Sequence, residues 1–102
     1  MLLAEISIWP MDKGESVGQY VARALDIIDR SGLAYKLGPL GTCIEGEYPQ
    51  VMAVIQQCHE ALAKDCRRIA CTIKMDYRQG HDNMLQSKIE SVEKRLGRKL
   101  KT

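Results

Sequence analysis

Glu45 stands inside the stretch Leu40-Gly41-Thr42-Cys43-Ile44-Glu45-Gly46-Glu47, whose residue types suit a β-strand punctuated by glycines. A carboxylate within a sheet must face solvent, meet a cation or meet a ligand, because an uncompensated buried charge is costly. Four other side chains of useful chemistry fall on strand-like stretches: Ser7, Thr42, Lys74 and Asp76. The hydroxyls donate and accept hydrogen bonds, Lys74 supplies a cation, and the two carboxylates accept. Such a set suits polar recognition of a small molecule better than bond-breaking. His59 and His81 have no Ser or Cys nucleophile paired with them in sequence. Glu45 and Asp76 imitate a carboxylate pair, but Lys74 is close in sequence to Asp76, and neutralisation is the simpler role. The chain contains no P-loop and no GxGxxG.

The cysteines exclude two further classes. Cys43, Cys58, Cys66 and Cys71 form no CxxC pair, and their spacing does not suit a zinc ribbon. Cys58 and His59 are adjacent on a helical stretch, where neighbours point about 100° apart and rarely share a metal. Cys43 and Cys71, on strands, are expected to be small buried hydrophobes rather than disulfide partners.

The elements that must position these residues follow from periodicity. In Leu2–Trp9, Leu2, Ala4, Ile6 and Ile8 form one uniformly apolar row, while Leu3, Glu5, Ser7 and Trp9 form a mixed one. Pro10 ends the strand. Ser16 with Gln19 has the form of a capping box, and Val17, Tyr20, Val21, Ala24, Leu25 and Ile28 make one helical stripe that Gly32 stops. Ala34–Leu37 and Leu40–Gly46 read as an antiparallel hairpin around Gly38-Pro39. Pro49 suits the first turn of a second helix, which runs to about Lys64 with Val51, Val54, Ile55, Cys58 and Leu62 inward. Arg68–Asp76 is the cleanest alternation, with Ile69, Cys71, Ile73 and Met75 opposite Ala70, Thr72, Lys74 and Asp76. Asn83 with Gln86 offers another cap for a helix along Leu85, Ile89, Val92 and Leu96, ended by Gly97.

The order β-α-β-β-α-β-α predicts an α+β, ferredoxin-like βαββαβ sandwich with an additional C-terminal helix, as a single domain over residues 1–102. Two helices cover one face of the sheet. The other displays Glu5, Ser7, Trp9, Thr72, Lys74 and Asp76, plus either Thr42 and Ile44 or Cys43 and Glu45, since a one-residue shift in phase swaps those pairs. Three readings of that face stay open: a solvated surface, a subunit interface anchored by Leu3 and Trp9 and, in one phase of the third strand, Ile44, or a ligand site lined by Ser7, Thr42, Glu45, Lys74 and Asp76.

A net charge of +2 with interspersed signs does not describe a dedicated nucleic-acid binder. The fourth strand also lacks the aromatics on which RNA-recognition domains stack bases. The run Lys94, Arg95, Arg98, Lys99, Lys101 reads as a solvated helix end. No segment reaches the ~18–20 apolar residues that a membrane span needs. Glu5 interrupts the N-terminal apolar run, so no signal peptide and a cytoplasmic location are expected.

Several motifs in combination resemble the thiamine-binding protein family: Ser7-Ile8-Trp9-Pro10, Ser16 to Val21, Gly41-Thr42-Cys43-Ile44-Glu45-Gly46-Glu47, Ile73-Lys74-Met75-Asp76-Tyr77-Arg78 and Lys88-Ile89-Glu90-Ser91-Val92. The resemblance runs from about Leu3 to Leu96. It implies a ferredoxin-like homotetramer, a dimer of dimers with stacked sheets. It also implies binding of thiamine or its hydroxymethylpyrimidine moiety, with no catalytic step and no other cofactor. On that footing Glu45 would accept from the exocyclic amine, Ser7 or Thr42 would bond a ring nitrogen, and the ring would stack on Trp9 or Tyr35. Trp9 departs from the family's pattern. Arg78 and Lys88 fit it and are expected in ion pairs with Asp76 or Glu90. The alternative is a structural or regulatory homo-oligomer with no small-molecule ligand.

Overall fold

Strand β1 (Leu2–Pro10) carries the periodicity of two that its sequence announces: Leu2, Ala4, Ile6 and Ile8 are buried, with half-buried or exposed residues between them. The structure, a computed structural model describing residues 1–102, builds a four-stranded sheet around this strand. The remaining elements are α1 (Gly18–Arg30), β2 (Ala34–Leu37), β3 (Thr42–Gly46), α2 (Tyr48–Ala63), β4 (Ile69–Tyr77) and α3 (Met84–Leu96). The strand order is β2-β3-β1-β4, and every pairing is antiparallel. This is the ferredoxin-like arrangement.

Helices α1 and α2 lie on the face that carries Leu2, Ala4, Ile6, Ile8 and Ile44, and they close the core with Ala24, Ile28, Val51, Val54, Cys58 and Leu62. Arg23 fastens the two helices from outside, donating to the Ala61 carbonyl at 3.1 Å and to Asp65 at 2.8 Å. Gly32, with a φ of +78°, takes the left-handed conformation that ends α1.

The helix starts differ from the sequence reading. The cap of α1 falls at Val17 rather than Ser16, and Asn83 does hold the N-cap position of α3 but in a left-handed conformation with no bond from its side chain, so neither the Ser16–Gln19 nor the Asn83–Gln86 pair forms a capping box. The reciprocal box belongs instead to Glu47 and Gln50 at the start of α2, where Pro49 occupies the first turn as expected. Cys71 is exposed rather than buried, because β4 is an edge strand that runs past the cover of α2; all four thiols are free. No helix is long and apolar enough to cross a membrane.

Candidate functional site

Register settles the phase of β3. Ile44 pairs with Ala4 and Thr42 with Ile6, so these side chains share the helix-covered face. Glu45 pairs with Leu3 and Cys43 with Glu5, which puts them on the opposite, open face. Across β1, Leu3 pairs with Asp76 and Glu5 with Lys74. Two adjacent cross-strand rows result: Glu45–Leu3–Asp76 and Cys43–Glu5–Lys74.

Helix α3 lies over the first of these rows. At one end, Glu45 Oε2 accepts the Met84 N–H at 2.6 Å and Oε1 accepts the Leu85 N–H at 3.5 Å. The carboxylate is only 5% exposed and does the work of an N-cap from 39 residues away. At the other end, Lys88 Nζ meets Asp76 Oδ2 at 2.7 Å. The Lys88 ammonium, with Arg78 adding a smaller pull, holds the Asp76 carboxyl below its ordinary range. This confirms an ion pair for Lys88 with Asp76; Arg78 makes none within the chain.

Between helix and sheet lies a cavity of about 230 Å³ lined by Leu3, Glu5, Cys43, Lys74, Met75, Asp76 and Lys88. Glu5 is its distinctive group. The stem of Glu5 passes over Gly41, where an added Cβ would sit 3.2 Å from Glu5 Cγ. Its one side-chain hydrogen bond within the chain is a long one of 3.8 Å from the Cys43 thiol. Neither Glu5 nor Lys74 takes part in an ion pair. Burial, then the Glu5 charge, raise the Cys43 thiol, which keeps it neutral and poorly nucleophilic. No cluster of His, Cys, Asp or Glu in the chain could hold a metal ion.

The residues singled out from sequence are therefore divided. Lys74 and Asp76 line the open-face cavity. Glu45 stands beside it with both oxygens engaged by α3. Ser7 and Trp9 lie further along β1, in register with Thr72 and Ala70. Thr42 is buried on the helix side and, with the β1 segment Ile6–Trp9, Leu25 and the 38–41 turn, lines a separate apolar cavity of about 220 Å³. Tyr35 also faces the helix side, where its hydroxyl donates to Asp29 at 2.7 Å. Sequence reasoning placed Glu5 on the open face without making it a site residue; its position between Cys43 and Lys74 required the register.

Comparison with known proteins gives the same fold and a family. The sequence profile of a family described as "Thiamine-binding protein" matches residues 4–93. The Bacillus subtilis protein YqgV is 39% identical, with 94% of this chain and 98% of that one covered. A Mycobacterium tuberculosis relative is 36% identical over 93% of this chain and 94% of its own. Among solved structures, hypothetical protein MJ1052 of Methanocaldococcus jannaschii superposes with a TM-score of 0.83 at 27% identity, covering 89% of this chain and 94% of that one. A Thermotoga maritima protein provisionally assigned to thiamine biosynthesis/salvage superposes with a TM-score of 0.79 at 22% identity, over 89% of this chain and 97% of its own, and supports the fold. With a profile match and a close relative that each extend over most of its length, this chain belongs to the thiamine-binding protein family.

Proposed function

We propose that this protein binds a thiamine-type ligand, an aminopyrimidine with or without its thiazolium, and releases it unchanged. The site is the open-face cavity under α3. The observation that carries the reading is Glu5, a carboxylate at the cavity wall with no ion-pair partner and Lys74 opposite it in register. A 4-aminopyrimidine presents a donor amine beside an acceptor ring nitrogen. Glu5 accepts from the amine and Lys74 donates to a ring nitrogen, while Leu3 supplies an apolar floor. The fixed cation of a thiazolium is favoured by the same carboxylate. Family membership supports the ligand class. The reading assigns binding alone, and no transformation step, to the groups of this lining.

The same chain is proposed to self-associate, as a homotetramer of stacked dimers working in the cytoplasm. Helix α3 takes the Leu3 end of the open face and leaves the Ser7–Trp9 end for sheet stacking. Exposed Ile73, Met75 and Tyr77 on the β4 edge add apolar area that suits a partner.

Titration calorimetry with thiamine and with hydroxymethylpyrimidine tests the ligand. The wild type is expected to bind both, and Glu5→Gln to weaken each by about tenfold, the loss of one charge-assisted hydrogen bond. Absence of heat and of a thermal shift at millimolar ligand would retire the reading. Chromatography of the incubated ligand is expected to return it intact.

A further inference from the structure

Helix α3 carries two of its three cations, Lys88 and Arg95, on one face. Its two acids are engaged along the helix and at its end: Glu90 accepts from Gln86 at 3.1 Å, and Glu93 accepts the Leu100 N–H at 2.7 Å. Ser87, Lys88, Ser91 and Arg95 follow the i, i+3/i+4, i+7/i+8 spacing of a different face. Opposite them stand Arg78, just past the end of β4, and His81 in the loop. Together they line a groove of about 580 Å³ with Met84 and Val92 and without a single carboxylate. Lys88 is already matched by Asp76, whereas Arg78 and Arg95 have no carboxylate partner. Two fork-shaped guanidinium groups without a carboxylate partner, an imidazole and two hydroxyls along one groove have the chemistry of a phosphate receptor.

Lys88 lines both this groove and the open-face cavity, so the two hollows meet along its side chain. We infer that the groove receives the phosphate group of a ligand whose ring occupies the cavity, so that the protein selects phosphate esters of the pyrimidine or of thiamine over the free alcohols. The ring's placement rests on the function proposed above; the groove's affinity for phosphate does not. Arg78 and Arg95 clamp the phosphate oxygens, Ser87 and Ser91 donate from their hydroxyls, and Lys88 stands at the junction between ring and ester.

Calorimetry on the full chain separates the two ideas. The probes are inorganic pyrophosphate, hydroxymethylpyrimidine and hydroxymethylpyrimidine phosphate. The ester is expected to bind at least about tenfold more tightly than the alcohol, as charge-assisted contacts to phosphate warrant. Arg78→Gln combined with Arg95→Gln is expected to erase that gain and leave the affinity for the alcohol unchanged. Lys64→Gln, the loss of one cation at the end of α2 and outside the groove, is expected to alter nothing. Equal binding of ester and alcohol by the wild type overturns the inference and leaves the proposed function standing. A gain that survives in the double variant, or falls as much in Lys64→Gln, also overturns it. Failure of the alcohol alone, with pyrophosphate still bound in an Arg78- and Arg95-dependent way, supports the groove and removes the ring reading instead.

Discussion

The carboxylate of Glu45 accepts the backbone N–H of Met84 at 2.6 Å, joining the third strand to the start of the last helix across the open face of the sheet. A group that looked out of place in a strand is thus the terminus that α3 lacks in its own sequence.

Glu45→Ala is therefore expected to destabilise the fold by about 1–3 kcal/mol, because it leaves the buried Met84 N–H without an acceptor and strips an anion from a helix N-terminus. Glu45→Gln keeps an acceptor oxygen without the charge and is expected to lose roughly half as much. Urea unfolding monitored by circular dichroism reads both, and an unchanged midpoint in the alanine variant would show that α3 is held some other way.

The Asp76–Lys88 pair gives a pH signature. Lys88 lowers the Asp76 carboxyl from its reference value of 3.8, so the folded state binds this proton less readily than the unfolded state does. The pair's contribution is then complete above 3.8 and disappears as the pH falls through the lowered value. Unfolding midpoints of wild type and Asp76→Asn, compared from neutral to strongly acidic pH, are expected to differ at the top of that range and converge at the bottom. The pair is half exposed, so the gap is small; a gap that widens toward acid would contradict the assignment.

Self-association is open to direct weighing. Light scattering of the wild type is expected to return a multiple of the 11.5 kDa chain mass. Replacing Ile73 by Lys and Met75 by Glu together is expected to lower that multiple while the far-ultraviolet spectrum stays native, because both side chains are exposed within a single chain. A monomeric wild type would remove the oligomer from the proposal.

The layout of elements was legible because β1, α1, α2 and β4 each carry a clean period. The buried stripe Val51, Val54, Ile55, Cys58 and Leu62 appears in the structure as read. Residues 42–45 carry no such pattern: Thr42, Cys43, Ile44 and Glu45 are equally plausible in either phase, and only the pairing of Ile44 with Ala4 decides between them. The separation of Tyr35 and Thr42 from Lys74 and Asp76 follows from that same pairing. The bond from Glu45 to Met84 was illegible for another reason: its donor is a backbone N–H, which every residue except proline possesses. The capping patterns misled at Ser16, which lies outside α1, and only located the start of α3 at Asn83 without its bond, while Glu47 and Gln50 formed the real box unremarked.

The way α3 is attached gives the domain two tiers of cohesion. Only Met84 of this helix is fully buried, Leu85 and Ile89 are half-buried, and its polar fastenings to the sheet are one carboxylate cap and one half-exposed ion pair. The sheet with α1 and α2, by contrast, is closed by a continuous apolar core. Amide protons along Gln86–Leu96 should accordingly exchange with solvent through openings that leave β1 and α2 protected, since local opening costs far less than global unfolding. Because Lys88 of α3 lines the open-face cavity, such an opening would uncover it, and a ligand of the proposed kind touching both Glu5 and Lys88 would slow the exchange of the same amides.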